Sequence, residues 1–206
     1  MIFESLAIVK IAKSIWNKIP PRLRDWSKSE VLNFVQKKAP GFFNFCKDKI
    51  SKFWSKVPNN KAKTIVDKVT SKFLALNDKI PPDVKQRMFE EMTGAQYIPP
   101  SDDTMENLSD VVQTDDEKKA AAMQMSYLVA VLGEINQKQE LMLNEYMNSL
   151  KMTEKLKQEI IDEIQEAEKE LAKFAEELGR LDKEFERTSA ETAKAKKEAN
   201  DIIDQI

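Results

Sequence analysis

From Ile160 onward, apolar or small residues recur at spacings of four and three: Ile160, Ile164, Ala167, Leu171, Phe174, Leu178, Leu181 and Phe185. The series continues through Thr188, Thr192, Ala195, Ala199, Ile202 and Ile206. A repeat of about 3.5 residues kept up over this length marks a helix whose seam stays turned toward a partner helix. No proline follows Pro100, and Gly133 and Gly179 are the only glycines after Glu117. The pattern therefore predicts one long helix from Glu117 to Ile206, opened by the capping box Thr114-Asp-Asp-Glu117. Its first part is richer in methionine, with a stripe through Leu128, Leu132, Ile135, Met142, Tyr146 and Leu150. Around Thr153 and Leu156 the spacing slips to three, three and four, a stammer. Because no Gly, Pro or Asp lies between Asn144 and Thr153, a continuous helix is the preferred reading there over a hairpin.

The first 95 residues follow a shorter pattern, amphipathic stretches closed by proline. Ile8, Val9, Ile11, Ala12, Ile15, Trp16 and Ile19 share about half a helical wheel, and Pro20-Pro21 stops that helix. Ser27-Lys-Ser-Glu30 reads as a second capping box, opening a helix to about Lys38 that Pro40-Gly41 ends. A third helix is expected from Phe42 to about Lys56, with Cys46, Ile50, Phe53, Trp54 and Val57 on one face. A fourth spans roughly Lys61 to Lys79, and a fifth runs from Pro82 to about Met92. The apolar faces, typified by Ile15, Trp16, Ile50, Phe53 and Trp54, have two readings. They meet in a helical core or docking face, or they lie on an anionic membrane, as Lys-rich helices carrying Trp and Phe can.

Charge divides the chain at the same place as proline. The formal net charge is −2, yet residues 1–85 sum to +11 and residues 86–206 to −13, and all eight prolines lie between Pro20 and Pro100. Three parts follow: a basic helical domain at 1–95, an acidic linker at 96–116 with a short helix from about Thr104 to Val112, and the acidic coiled-coil helix at 117–206. The linker's carboxylates include Asp102, Asp103, Glu106 and Asp110, but they lack the central glycine and terminal glutamate of a calcium loop.

The seam's flanks narrow the choice of partner. With Ile164 at a, the g positions are Glu163, Glu170, Glu177, Glu184, Glu191 and Glu198, an unbroken acidic edge. Lys173, Arg180, Arg187 and Lys194 each lie three residues after one of these glutamates, within reach of intrahelical pairing. The e positions are Glu168, Ala175, Asp182, Ser189, Lys196 and Ile203, so a parallel self-pair brings Glu168 and Asp182 against glutamate. The expected partner is protein with a basic edge, and the +11 half of the same chain, or of a neighbouring subunit, supplies one.

Candidate chemistry adds little. The chain has no histidine and a single cysteine, Cys46, on an apolar face, and no glycine-rich phosphate loop. No catalytic residue, cofactor or metal ligand is assigned. Only Arg22, Arg24 and Arg87 accompany the lysines of the basic half, which argues against nucleic acid. The N-terminal MIFESLAIVKIAKSIW has an acidic residue where a secretory signal is basic, and no apolar run reaches the roughly 18 residues of a membrane span. The protein is expected to be soluble or to sit on a membrane surface. It is expected to be cytoplasmic or exported without a cleavable signal.

The run MSYLVAVLGEINQKQELMLNEYMNSL, passing into Glu/Lys heptads, resembles the coiled-coil portion of type III secretion translocators. It covers under a quarter of the chain, and the long hydrophobic hairpin that this family inserts into membranes has no counterpart here. The expectation is thus an all-α, non-enzymatic assembly protein acting through helix–helix association. The alternative is a translocator- or toxin-like protein whose basic Trp/Phe helices bind anionic lipid.

Overall fold

A computed structural model describes residues 3–25, 27–58, 60–100 and 107–203, and every regular element among them is a helix. In chain order these are α1 (Phe3–Lys18), a 3-10 turn (Pro21–Arg24), α2 (Ser29–Lys38), α3 (Pro40–Trp54) and α4 (Asn60–Ala75). There follow α5 (Pro82–Thr93), the single turn α6 (Leu108–Val111), α7 (Asp115–Leu132), α8 (Gln137–Ser149) and the 50-residue α9 (Glu154–Ile203). The positions Asp102, Asp103, Thr104, Glu106 and Ile206 lie outside the described residues.

The fold is built around α7. Thr114 accepts from the Glu117 amide, and the Glu117 carboxylate accepts in return from the Thr114 amide, so the capping box forms. Beyond that first turn, Ala120 to Leu132 are all buried. A helix apolar on every side has to be covered on every side, and α1, α3, α4 and α9 all pack on it. Its one long polar side chain, Gln124, is fully matched. Gln124 Oε1 accepts from Trp54 Nε1 at 2.7 Å, and its Nε2 donates to Asp67 Oδ1 at 2.9 Å and Thr70 Oγ1 at 3.0 Å. Asp67 in turn takes Lys63 Nζ at 2.8 Å. This network ties α3, α4 and α7 together inside the core, where an unmatched amide would cost about 1–3 kcal/mol.

The single helix expected from Glu117 to Ile206 is instead three. Gly133, at φ 69°, ends α7, and Asn136 forms a reciprocal capping box with Gln139 to open α8. The Tyr146 hydroxyl then donates to the Ala121 carbonyl at 2.8 Å, so α8 turns back toward the start of α7 while packing on α1 and α4. The stammer near Thr153 is a second turn and not an overwound helix. Lys151 takes a left-handed φ of 48° there, the role that glycine or asparagine usually fills, so its side-chain identity gave no sign of it. Two local readings in the basic half also shift. Ser27 bonds Asp25 and not the start of α2, whose N-cap is Lys28. Pro40-Gly41 opens α3, with Pro40 in its first turn, as well as ending α2.

α9 docks its first half on this body. Leu156, Ile160, Ile161, Ile164, Ala167, Leu171, Ala175 and Leu178 are buried, while Phe174, Leu181 and Phe185 are half-buried at the margin. Burial at the e positions Ile161 and Ala175 gives an a/d/e stripe, the width of a helix packed on a globular body. The narrower a/d seam of a two-stranded coil is not what is covered. Phe174 lies on the backbone of Gly41, where a Cβ would stand 2.7 Å from its Cε1.

Two glycines test this packing in opposite directions. A Cβ on Gly133 would lie 2.0 Å from the Trp16 ring at a positive φ, whereas Gly179 has open space in mid-helix. Gly133→Ala should destabilise the chain by about 2–4 kcal/mol, and Gly179→Ala should stabilise it by up to ~1 kcal/mol, read from urea midpoints.

Candidate functional site

α9 changes character where it passes the end of the body. Ionic contacts concentrate at that point. Arg22 Nη2 meets Asp182 Oδ2 and Arg22 Nη1 meets Glu186 Oε1, both at 2.7 Å, and Lys38 Nζ meets Glu184 Oε1 at 2.6 Å. These groups are substantially exposed, so they position the helix more than they stabilise the fold. The hydrogen bond from Lys38 holds the Glu184 carboxyl below the usual carboxylate range, and the nearby Arg187 adds to the effect. Asp182 and Glu186, as hydrogen-bond acceptors, raise the Arg22 guanidinium further above its ordinary value.

From the last of these contacts onward, residues 186–203 are all exposed, about 27 Å of helix with only its root beside α2. The heptad runs on through this free end. Ile202 and Ile203 are 61% and 67% exposed, unusual for side chains of that size. The hydroxyls of Thr188 and Thr192 donate to the carbonyls of Glu184 and Thr188, four residues back. With its hydroxyls turned to the backbone, the seam presents methyl groups.

At the root of the free end, Phe34 of α2 meets Phe185 edge-on, with ring centroids 4.8 Å apart. Beside this pair is a notch of about 370 Å³ between Glu30 and Phe34 on one wall and Thr188, Thr192 and Lys196 on the other. A second notch of about 470 Å³ adjoins it, over Arg22, Val31 and Phe185.

The seam residues thus divide into two groups. Ile160, Ile164, Leu171 and Leu178 are buried against the body, Phe174, Leu181 and Phe185 line its margin, and Ile202 faces solvent. The acidic edge divides too. Glu163 lies 3.6 Å from Lys119 and Glu184 meets Lys38, whereas Glu170 pairs with Lys173, Glu191 with Arg187 and Glu198 with Lys194 along α9 itself. Glu177 is exposed. The last two pairs run from a cation to a glutamate four residues later, and not the three-residue pairing expected. Ile15, Trp16, Ile50, Phe53 and Trp54 are all buried in the core. Lys119 was not anticipated as a partner for Glu163, because it lies in the acidic half of the chain. Phe34 and Glu30 were not anticipated either, since nothing local marks α2 as the helix beside α9's exit.

No family model matches this chain, and no curated protein or solved structure matches it.

Cys46 is fully buried, and desolvation pushes its thiol up, away from the reactive thiolate. No group of His, Cys, Asp or Glu among the described residues is arranged to hold a metal ion. No helix among them is long and apolar enough to cross a membrane.

The two halves of the seam should respond differently to substitution. Leu171→Ala should cost about 2–5 kcal/mol, and Ala195→Glu, on open helix surface, should stay within about 0.5 kcal/mol of wild type by chemical denaturation. Because the folded-state pKa of Glu184 is lowered, its contact contributes fully above the carboxylate range and is lost as pH falls through the lowered value. Lys38→Ala should therefore make stability fall less steeply with acidification, read as denaturant midpoints across that range.

Proposed function

We propose that this chain is a non-enzymatic assembly protein that works by helix–helix association. The helical body is the mount, and residues 186–203 of α9 are the element that holds a partner. One observation carries this reading: the heptad that buries α9's first half continues through residues 186–203, all of them exposed, to Ile202 and Ile203. Free surface helix has no need of a heptad, and exposing two adjacent isoleucines is unfavourable without something to cover them. Further support comes from the basic residues Arg22, Lys38 and Lys119, which meet acidic residues of α9. They hold the docked half in place and leave the rest projecting. The membrane-surface alternative depends on the Trp and Phe faces of the basic helices, and the burial of Ile15, Trp16, Ile50, Phe53 and Trp54 in the folded chain favours the assembly reading over it.

A photo-crosslinking residue at position 195 tests the proposal in cells that make the protein. It should give a discrete protein adduct that Thr192→Glu/Ala199→Glu abolishes, while the same residue at the exposed position 13 should not. Absence of an adduct from position 195 would overturn the reading. The folded chain should also fail to co-sediment with anionic vesicles at low salt, and binding there would favour the lipid alternative.

A further inference from the structure

We infer that the partner of the free end is a helix of a different protein. It carries large apolar side chains along its inner face, a basic edge toward Glu191 and Glu198, and one apolar residue that seats against Phe34 and Phe185. This rests on the reading of residues 186–203 as the partner-binding element.

A second copy of this chain is the obvious rival, and it fails in both orientations. The docked residues Ile164, Leu171 and Leu178 and the free residues Thr192, Ala195 and Ala199 belong to one seam, and the body lies on that side of α9. Phe34 and Glu30 already stand beside Phe185 and Thr192 at the root. A parallel copy of α9 following the free seam would run, in its own first half, into the space that α1 and α2 occupy. An antiparallel copy avoids that collision but sets like edges together. Glu191 would face Glu198 of the second copy, and Glu198 would face its Glu191, two repulsions that disfavour this pairing.

The chemistry of the true partner follows from what the free end lacks. Its seam is Thr188, Thr192, Ala195 and Ala199, small residues that let another backbone come close but fill little space themselves. The apolar bulk has to come from the partner, as leucine- or isoleucine-sized knobs over these small positions. Among the described residues, Glu191 and Glu198 meet Arg187 and Lys194 in exposed pairs at 3.6 and 3.8 Å, contacts weak enough to re-form across an interface. They call for lysine or arginine opposite. The notch of about 370 Å³ at the root takes one bulky side chain onto the Phe34–Phe185 edge, and this sets where along α9 the partner helix stops.

Two three-heptad peptides serve as probes, identical in a leucine seam but carrying lysine or glutamate along the one edge that faces Glu191 and Glu198. Anisotropy with the full chain should show the lysine peptide binding roughly tenfold more tightly than the glutamate peptide. Glu191→Lys/Glu198→Lys should reverse that order, and Ala195→Glu should weaken both. Equal binding of the two peptides, or no binding of either, overturns the inference. So does a chain that light scattering shows to dimerise and that Ala195→Glu returns to monomer. In that last case helix–helix assembly through the free end stands and only the identity of the occupant falls. If position 195 also yields no crosslinked adduct, both readings fall.

Discussion

The need to cover α7 organises this molecule. A helix buried from Ala120 to Leu132 on every side cannot exist alone in water, so the chain has to wrap it. The short basic helices do this with their apolar faces, and prolines such as Pro21, Pro40 and Pro82 suit the task, because they open the next element where the chain has to turn. α9 completes the cover with its first half. Inside, Gln124 converts a bare apolar contact into a specific one, since its three hydrogen bonds form only when α3, α4 and α7 stand in one register. The Gly133–Trp16 contact fixes α7's far end against α1 in the same way, by leaving no room for any other arrangement.

That constraint explains which parts of the fold were legible. Helical content, the proline-closed basic helices and the Thr114 cap follow from local rules, and they appear within a few residues of where those rules put them. The breaks after α7 and α8 do not follow from local rules. Gly133 reads as a tolerated helix glycine until Trp16 is known to lie on it, and Lys151 adopts a turn conformation that its side chain does not advertise. The stammer did carry a signal, since a slipped repeat marks a change of neighbours. Its meaning depended on tertiary packing, which decides between an overwound helix and a reversal. The acidic edge was legible as chemistry. Its division between Lys38 and Lys119 on one side and solvent on the other depended on where the body ends.

The charge asymmetry between the two halves of the sequence has a structural counterpart that is narrower than a basic domain lying on an acidic rod. The strongest cross-contacts gather within one short segment of α9, where Arg22 and Lys38 meet Asp182, Glu184 and Glu186. Long exposed side chains at that point add little to the stability of a fold whose core lies elsewhere. What they can do is fix the direction in which α9 leaves the body, because they grip it on both sides of Phe185 at its last apolar contact. A projecting helix serves recognition best when its exit angle is set, since a partner then loses less freedom on binding.

The weakness of the free seam is consistent with that use. Thr188, Thr192, Ala195 and Ala199 bury little area whatever they meet, so the stretch cannot hold a partner by hydrophobic contact alone. On the proposed reading, discrimination falls to the two features that are not small: the glutamate edge, which would select by charge, and the aromatic notch at the root, which would select by shape. A seam of leucines would bind more tightly but would also accept a second copy of itself. On the proposed reading, small seam residues between charged edges give up affinity to disfavour that outcome, and the body standing across the seam's line opposes it again by bulk.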